Sequence, residues 1–300
     1  MMTGRSDALV YPTELQVYDN VLYEAKEAEL LARQVFSLKT DDPEWVEYIG
    51  YDVLSRSGMA KVFNILSDDI PLVDVDITRR FQKVYSLVSG WAITEQELRA
   101  ARAVGRQPDV QKAATARRFI ATQENALTFL GDATWGIEGL YTMTGRQEAA
   151  VSGTFASGST RWATAKDTEG GVMVSHIRQA RELVQALDGY EAQCLVLSAV
   201  QYERLVGTFM SDRYDLTVMG FLKQTNWFPG GIYASSLIPN DRLAVIDNRP
   251  DQMQLAIPMD LYRHPPYQSG PFRTIIPVEE RYGGLLVRFP LAISIRTGID

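Results

Sequence analysis

Two histidines are the side chains of this sequence best suited to acid–base catalysis, because histidine changes its charge near neutral pH. His176 is predicted to lie in the first turn of a helix, and His264 lies in the loop sequence Arg-His-Pro-Pro at 263–266. A Ser-His-Asp triad would have to use one of them, and no Gly-x-Ser-x-Gly elbow supports a triad. The sequence therefore does not favour catalysis by either histidine.

The sequence also lacks the motifs that hold metals, phosphates or dinucleotides. It has no His-Glu-x-x-His motif, no Cys/His pair and no Cys-x-x-Cys motif, so a zinc site is not expected. No Gly-rich phosphate loop occurs, and Gly136, Gly139 and Gly145 match no dinucleotide fingerprint. The single cysteine, Cys194, lies in an apolar run, which excludes an intrachain disulfide and predicts a buried thiol. We predict no catalytic, cofactor-binding or metal-binding residues, and no enzymatic activity.

Four carboxylates form the remaining acidic candidate. They could hold a cation or act in acid–base catalysis, but turns and solvent-facing strand positions are the favoured interpretation. These residues are Asp68, Asp69, Asp74 and Asp76.

Two further dipeptides have a functional and a structural interpretation. Arg117-Arg118 could clamp a phosphate, although a solvated or intersubunit helix face is favoured. Gly230-Gly231 follows Trp227-Phe228 and could form a ligand loop, although a tight turn over an aromatic anchor is favoured.

Composition describes a globular chain with material for a core. Of its 300 residues, 46% are hydrophobic and 22% are charged, which is ordinary for a globular protein. The length exceeds a typical domain, so one elaborate domain or two intertwined ones are expected. The net charge of −7, without a dense Lys/Arg block, argues against dedicated nucleic-acid binding but not against enclosing nucleic acid. No membrane span or signal-peptide pattern is seen, so maturation in the cytosol is expected.

The stretch 94–132 is the element that must organise the chain. Thr94 and Glu97 form a capping box that starts a short helix, which should break at Gly105 and Pro108. Asp109 can cap a second, long helix that Gly131 ends. Small and apolar residues recur at helical spacing on one face, and the other face is polar. The first face carries Ala113, Ala116, Ile120, Leu127 and Leu130, and the second carries Lys112, Arg117, Arg118 and Glu124. Such a helix needs a flat partner, and the closing strand of the chain is the candidate.

The stretch 45–93 before this helix has the period of two that is typical of strands. We predict a strand over 45–53, a turn at 55–58, a resumed strand over 59–66 and a long extended run over 73–93. Long strands with polar tips and little local core are typical of a projection that buries its apolar face against another subunit.

The other elements place the chain in the α+β class. Residues 1–20 are predicted to be an arm, and 21–36 an amphipathic helix. A Gly/Ser/Thr-rich connection over 133–171 is expected to be ordered in part by packing. A helix from Ser175, a strand over 194–197, a helix capped by Ser198 and strands over 243–246 and 254–259 follow. The alternating stretch 285–295 is predicted to be one well-covered strand.

Several of these stretches resemble the major capsid proteins of tailed bacteriophages, within the encapsulin-related superfamily. The similar segments are Gly58-Met59-Ala60, the run 69–74, the run 93–101, residues 109–140 and the ending 283–293. The resemblance covers roughly residues 38–300 and is one of pattern and order. It implies the Hong-Kong-97-like capsid fold.

The resemblance also implies a division of the chain. Residues 1–44 would be an N-terminal arm, 45–92 an extended β-hairpin loop (E-loop) with its tip near 66–74, and 93–174 a peripheral domain with the spine helix at 94–132. Residues 175–270 would form an axial domain, and 271–300 strands that return to the sheet.

By the same resemblance, the chain would be a structural major capsid protein. Pentamers and hexamers of it would close into an icosahedral phage head around double-stranded DNA, without sequence-specific binding. The subunit would act in the virion after assembly in the host cytoplasm, with separate scaffolding, portal and decoration proteins as possible partners. Lys61 and Lys83 lie in the candidate loop, but no cross-linking partner is evident, so cross-links are not predicted. Two alternatives stay open: an encapsulin-type bacterial shell protein, and an enzyme with an unrecognised site.

Overall fold

The computed structural model describes residues 30–58, 72–104, 108–211 and 214–300. Within these ranges the helices are α1 (Ala32–Val35), α2 (Glu95–Val104), α3 (Pro108–Leu130), α4 (Gly170–Gln185), α5 (Ala199–Gly207) and α6 (Val218–Gln224). The first strands are β1 (Leu38–Lys39), β2 (Tyr48–Ser57), β3 (Asp74–Lys83), β4 (Tyr85–Thr94), β5 (Gln147–Ala150), β6 (Cys194–Ser198), β7 (Phe209–Ser211) and β8 (Tyr214–Thr217). The later strands are β9 (Gly231–Ser235), β10 (Arg242–Ile246), β11 (Met253–Ala256), β12 (Met259–Arg263), β13 (Tyr267–Gln268), β14 (Arg273–Tyr282), β15 (Gly284–Val287) and β16 (Ile293–Thr297).

Strands β2 and β3 form a separate two-stranded antiparallel sheet. Its register runs from Tyr48 opposite Lys83 to Ser57 opposite Asp74, ten residue pairs in all. At about 3.4 Å per residue the hairpin is about 34 Å long. The predicted turn at 55–58 is wrong, because β2 remains paired through Ser57. The predicted strand over 59–66 and most of the predicted tip lie outside the described residues.

The extended run over 73–93 is confirmed, but it forms two strands that belong to different sheets. Only Val84 separates β3 from β4, and β4 pairs along its whole length with β14. Strand β14 also pairs with β12 and β13. The hairpin is therefore a direct extension of a strand in the body of the subunit.

Helix α3 packs on β4 and β14. Ala116 and Ile120 of the helix lie in one apolar cluster with Trp91, Ile276 and Val278 of the two strands. The closing strand of the chain, over 285–295, was the predicted flat partner of this helix. That prediction holds only for the C-terminal part of α3, where Leu127 shares a cluster with Leu285 and Val287. Under Ala116 and Ile120 the supporting surface is formed by β4 and β14.

The start and end of the α2–α3 stretch follow the predicted signals. The Thr94 N–H donates to Glu97 Oε2 at 3.1 Å, and the Glu97 N–H donates to Thr94 Oγ1 at 3.2 Å, which confirms the capping box. Gly131 ends α3 with φ +70°. A Cβ at this position would meet the Ile137 carbonyl oxygen at 2.4 Å, so only glycine fits.

A five-stranded sheet, in the order β5-β16-β10-β6-β9, divides the main core into two clusters. Leu195, Leu197 and Val245 face the cluster that includes α4, whereas Val196 and Ile246 face the other one. Strands β6 and β10 therefore carry apolar side chains on both faces. The predicted cap of α5 is confirmed, because Ser198 Oγ accepts the Gln201 N–H.

The predicted single closing strand over 285–295 is two strands. Strand β15 pairs with β11, and β16 pairs with β10 and β5 in the five-stranded sheet. A 3-10 turn, Pro290–Ala292, separates them. Pro290 cannot donate a ladder hydrogen bond, which explains the interruption.

Two predicted helices also need correction. Helix α4 begins at Gly170, five residues before the predicted start at Ser175. A Cβ on Gly170 would meet Val218 Cγ2 at 2.4 Å. In the described part of the predicted helix over 21–36, only α1, Ala32–Val35, is helical, and Asn125 Oδ1 accepts the N–H groups of Leu31 and Ala32 just before and at its start. Residues 21–29 of that predicted helix lie outside the described residues.

Candidate assembly surfaces

His176 is a structural residue of the core. Trp162 Nε1–H donates to His176 Nδ1 at 3.0 Å, and His176 Nε2 lies 2.8 Å from the Gly153 carbonyl oxygen. Because an indole N–H only donates, Nδ1 is the acceptor and Nε2 carries the proton. Burial lowers the pKa of His176, which favours this neutral form. Both ring nitrogens are therefore occupied by the protein itself.

His264 lies just after β12, beside a carboxylate on the surface of the subunit. Its Nε2 is 2.7 Å from Glu279 Oε2, and Ser86 also hydrogen-bonds to that carboxylate. The Ser86 hydrogen bond, and then that of His264, lower the pKa of Glu279. A catalytic triad needs the histidine between the hydroxyl and the carboxylate. Here the carboxylate is in the middle, so the arrangement does not activate Ser86.

Cys194 and the glycine pair have the predicted structural roles. Cys194 is fully buried in β6, and burial raises the pKa of its thiol to about 12. A Cβ at Gly230 would meet Cys194 Sγ at 2.6 Å, and Gly231 has φ +109°. Tyr233 Oη donates to the Gly230 carbonyl at 3.0 Å. The glycines thus form a tight turn into β9.

The acidic candidates are not gathered into a site. Asp74 and Asp76 lie exposed on β3, where Asp74 Oδ1 accepts the Val75 N–H at 2.9 Å. Asp68 and Asp69 lie outside the described residues. Across the described ranges, no cluster of three or more His, Cys, Asp or Glu residues has the arrangement of a metal site.

Several exposed apolar side chains lie together on one face of the β2–β3 hairpin. Residues directly opposite one another in an antiparallel pair share a face. Leu54 lies opposite Ile77, and Phe81 lies opposite Gly50, whose missing side chain leaves room for the ring. We call this surface the hairpin outer face; its apolar members are Tyr48, Leu54, Val75, Ile77 and Phe81.

An ion pair lies in the middle of the hairpin outer face. Arg79 Nε donates to Asp52 Oδ1 at 2.7 Å, and the two residues are opposite one another in the register. The hydrogen bond from Arg79 lowers the pKa of Asp52. A paired charge between apolar residues is typical of a surface that recognises a partner in one register.

The opposite face of the hairpin rests on the body of the subunit at its base. Ile49 is buried with Val84, Ala256 and Leu286, and Tyr51 Oη donates to the Val287 carbonyl at 3.1 Å. Lys83, at the end of β3, lies over the Tyr85 ring at 5.1 Å from its centre. Lys61 lies outside the described residues. The hairpin is therefore fixed at its base while its outer face is uncovered.

A second contact region anchors the segment that enters the body from the N-terminus. Arg33 donates to Glu124 through Nε at 3.0 Å and through Nη2 at 2.8 Å. It also donates to Glu280 at 3.0 Å and to Asp260 at 3.1 Å. The hydrogen bonds with Glu124 raise the pKa of Arg33. Burial, followed by the nearby Glu124, raises the pKa of Glu280 to about 8.

This anchor was missed in the sequence. Glu124 was predicted on the polar face of the long helix, but it is 2% exposed, so that placement is wrong. Glu124 follows Ile120 by four positions, which puts both on the same helix face. That spacing was the available signal, whereas nothing local identifies Arg33 as the partner.

None of the helices in the described part of the chain combines the length and hydrophobicity needed to cross a bilayer.

Comparison with known proteins points to one class. The family model described as major capsid protein matches residues 58–299. The type 1 encapsulin shell protein EncA of Myxococcus xanthus (strain DK1622) is 23% identical over 249 residues, which cover 82% of this chain and 80% of EncA.

Solved structures show the same fold at low identity. The capsid of Myoviridae phage XM1 has a TM-score of 0.80 at 15% identity, covering 98% of this chain and 100% of that chain. The virus-like particle from Pyrococcus furiosus has a TM-score of 0.59 at 14% identity, covering 88% and 90%. The Hong-Kong-97-like fold that the sequence resemblance implied is confirmed.

Proposed function

The chain belongs to the major capsid protein family, and we propose that its pentamers and hexamers form an icosahedral phage head around double-stranded DNA. The family and the fold identify it as a capsid shell protein with a structural role. The proposal places the subunit in the virion after assembly in the host cytoplasm. Scaffolding, portal and decoration proteins would be separate chains.

The hairpin outer face is the observation that carries the proposal. An isolated two-stranded hairpin is at best marginally stable in water, because it has no core of its own. This hairpin extends about 34 Å and exposes Ile77 at 59% and Phe81 at 67%. Burial of such side chains against a neighbour removes apolar surface from water and drives association. A contact of modest energy becomes decisive when every subunit of a closed shell repeats it.

We assign the parts of the subunit on the same basis. Residues 1–44 are the arm, with its end held by Arg33 on α3. Residues 45–92 are the extended loop, in which β2 and β3 form the projecting hairpin and most of β4 connects it to the body through β14. The peripheral domain is 93–174 with α2 and α3 as its spine, the axial domain is 175–270, and 271–300 return to the body. Strand β14 supports the last assignment, since it pairs with β4 under α3.

The net charge of −7 suits a container better than a nucleic-acid-binding protein. A strongly basic surface would bind phosphates through counterion release, with strong dependence on salt. DNA enclosed without sequence-specific contacts needs no such surface.

The test is direct observation of particles. Purified protein, alone or with its scaffold, is expected to form closed shells or capsomer-like sheets in negative stain. Light scattering at high protein concentration should report large assemblies. A monodisperse monomer at high concentration, with no particles on the grid, would overturn the proposal.

An encapsulin-type nanocompartment is the second candidate, and the similarity to the Myxococcus xanthus shell protein favours it. The contents of nuclease-treated particles from the native source separate the two. Protected double-stranded DNA supports the phage head, whereas a packaged enzyme without DNA supports the nanocompartment.

A further inference from the structure

Residues 153–162, in the connection between β5 and α4, form a segment that we call the strap. Phe155 and Trp162 are its buried residues, and both pack in the cluster that includes Met173 and Ile177 of α4. The other strap residues are exposed or partly exposed. The attachment of the strap to α4 therefore depends on few side chains.

His176 of α4 contacts the strap at three points. Its Nε2 donates to the Gly153 carbonyl at 2.8 Å, and its Nδ1 accepts the Trp162 indole N–H at 3.0 Å. The Phe155 ring lies edge-on to the imidazole, with 5.9 Å between the ring centres. One buried imidazole thus connects the beginning and the end of the strap to the helix.

The chain on either side of the strap is held by other groups. Before it, the Ser152 N–H donates to Gln179 Oε1 at 2.9 Å. At its end, the Trp162 backbone N–H donates to the Ile299 carbonyl at 2.8 Å. The strap can therefore open locally while the segments beside it stay attached to the body.

The hydrogen bond between Trp162 and His176 tolerates only the neutral imidazole. An indole N–H can donate but cannot accept, so Nδ1 must offer its lone pair. A proton on Nδ1 would place two donors against each other inside the core. The charged ring would also be desolvated there, which is costly without a paired charge.

The charges around His176 do not compensate for this cost. Burial lowers the pKa of His176, its hydrogen bond to the strap carbonyl raises it, and the positive charge of Arg296 on β16 lowers it further. On α4, Glu182 pairs with Arg178 at 3.3 Å. At the start of α4, Glu169 accepts two backbone N–H groups of the connection. These two carboxylates are therefore directed to other partners.

We propose that His176 is a pH-sensitive clasp: in acid, protonation of Nδ1 displaces the Trp162 indole and releases the strap from α4. Release exposes the Phe155 and Trp162 rings. Because the pKa of His176 in the folded chain lies below its ordinary value of 6.5, the stabilisation from the clasp is complete above pH about 6.5 and is lost as the pH falls through the lower folded value. The inference concerns the subunit and does not depend on what a shell contains.

Amide hydrogen exchange of the full chain, read by mass spectrometry between about pH 8 and 5, tests the proposal. Rates are corrected for the intrinsic exchange at each pH. The Ala156 N–H, which donates to Glu169 Oε1 at 2.9 Å, reports the attachment of the strap. The pKa of Glu169 is lowered by its backbone hydrogen bonds, so this acceptor stays charged in that range.

The protection of the strap should be constant above pH about 6.5. Below it, protection should fall by up to about tenfold per pH unit, because each unit multiplies the charged form of the open state by ten. Strand β10, in the middle of the five-stranded sheet, should keep its protection. Protection of the strap that does not change with pH would overturn the proposal, and so would a parallel loss in β10, which indicates global unfolding.

A pair of histidine variants identifies the titrating group. His176→Gln should remove the pH dependence of strap protection. His264→Gln is the matched control, because the other histidine lies partly exposed beside Glu279, and it should behave like wild type. An unchanged pH dependence in His176→Gln would overturn the assignment.

A measurement on the wild-type chain does not require that His176→Gln folds. Deuterium exchange at the imidazole Cε1–H, followed by mass spectrometry, gives the titration midpoint of each histidine. The His176 midpoint should lie below 6.5, and Trp162→Phe should move it toward 6.5, since the neutral ring loses its donor. A purely structural contact of Trp162 would leave the midpoint unchanged, and that result would overturn the clasp.

Discussion

Replacing Ile77 with aspartate should abolish assembly and leave the fold of the subunit intact. Ile77 is 59% exposed on the hairpin outer face, opposite Leu54. Surface substitutions change stability by only about ±0.5 kcal/mol. The subunit should therefore remain folded, with a melting temperature within a few degrees of wild type.

The effect on assembly follows from the area that is still exposed. Complete burial of an isoleucine side chain is worth about 1.5–3 kcal/mol. With 59% still exposed, a neighbour that covers Ile77 gains roughly 1–2 kcal/mol per copy. That is about a 5- to 30-fold loss in the affinity of each contact. Aspartate adds the cost of desolvating a carboxylate, so the loss should exceed this range.

The assay is a concentration series by light scattering and negative stain, with circular dichroism for the fold. Thr78→Asp is the matched control, because Thr78 is the next residue of β3, is exposed and points to the opposite face. It should assemble at nearly the wild-type concentration. The reasoning is refuted if Ile77→Asp assembles like wild type, if both variants fail equally, or if Ile77→Asp is unfolded.

Three further predictions concern the subunit itself. Ile120→Asp should prevent folding, since it removes a core contact worth about 2–5 kcal/mol and buries a charge; soluble, folded protein would contradict this. Trp162→Phe should cost at least about 1–3 kcal/mol in urea denaturation, because Nδ1 of buried His176 loses its donor; an unchanged midpoint would count against it. The folded pKa of Glu280, about 8, exceeds its ordinary value of 4.5, so this group's contribution to stability is complete below pH about 4.5 and is lost as the pH rises through 8. Glu280→Gln should remove a slope of up to about 1.4 kcal/mol per pH unit from thermal unfolding curves between pH 5 and 8. An equal slope in wild type and variant would exclude Glu280 as its source.

The elements predicted correctly depend on short-range contacts. The capping box of Thr94 and Glu97, the stop at Gly131 and the cap of Ser198 each involve residues a few positions apart. The face of α3 that carries Ile120 and Leu127 is buried as its spacing predicts. Local hydrogen bonds and side-chain periodicity are sufficient to predict these features.

The wrong predictions concern features that depend on residues far away in the sequence. The alternation over 285–295 is equally consistent with one strand or two, and Pro290 was the only local sign of the break. Glu124 is buried because Arg33, 91 positions away, neutralises it. Helix α3 lies on β14, which is distant in sequence. No local pattern encodes such pairings.

The sequence predicted that the hairpin has an exposed apolar face, but it did not predict which residues of β2 and β3 pair. A period of two indicates an apolar side, and the projection against another subunit stays a prediction. The pairing of Asp52 with Arg79 depends on the alignment of β2 with β3, which the sequence does not display. The first strand was ended too early because Ser55, Ser57 and Gly58 are common in turns.

The continuity of β3 and β4 through Val84 has a consequence for the entropy of association. Val84 is buried, and its N–H donates to the Glu47 carbonyl at 2.9 Å, so the base of the hairpin cannot swivel freely. The orientation of the hairpin is therefore already fixed before a neighbouring subunit covers it. Preorganised surfaces lose less conformational freedom on binding, so the entropic cost of this contact is reduced. The same rigid connection couples the orientation of the hairpin to the body of the subunit. A change in its tilt would shift β4, and with it the sheet that supports α3.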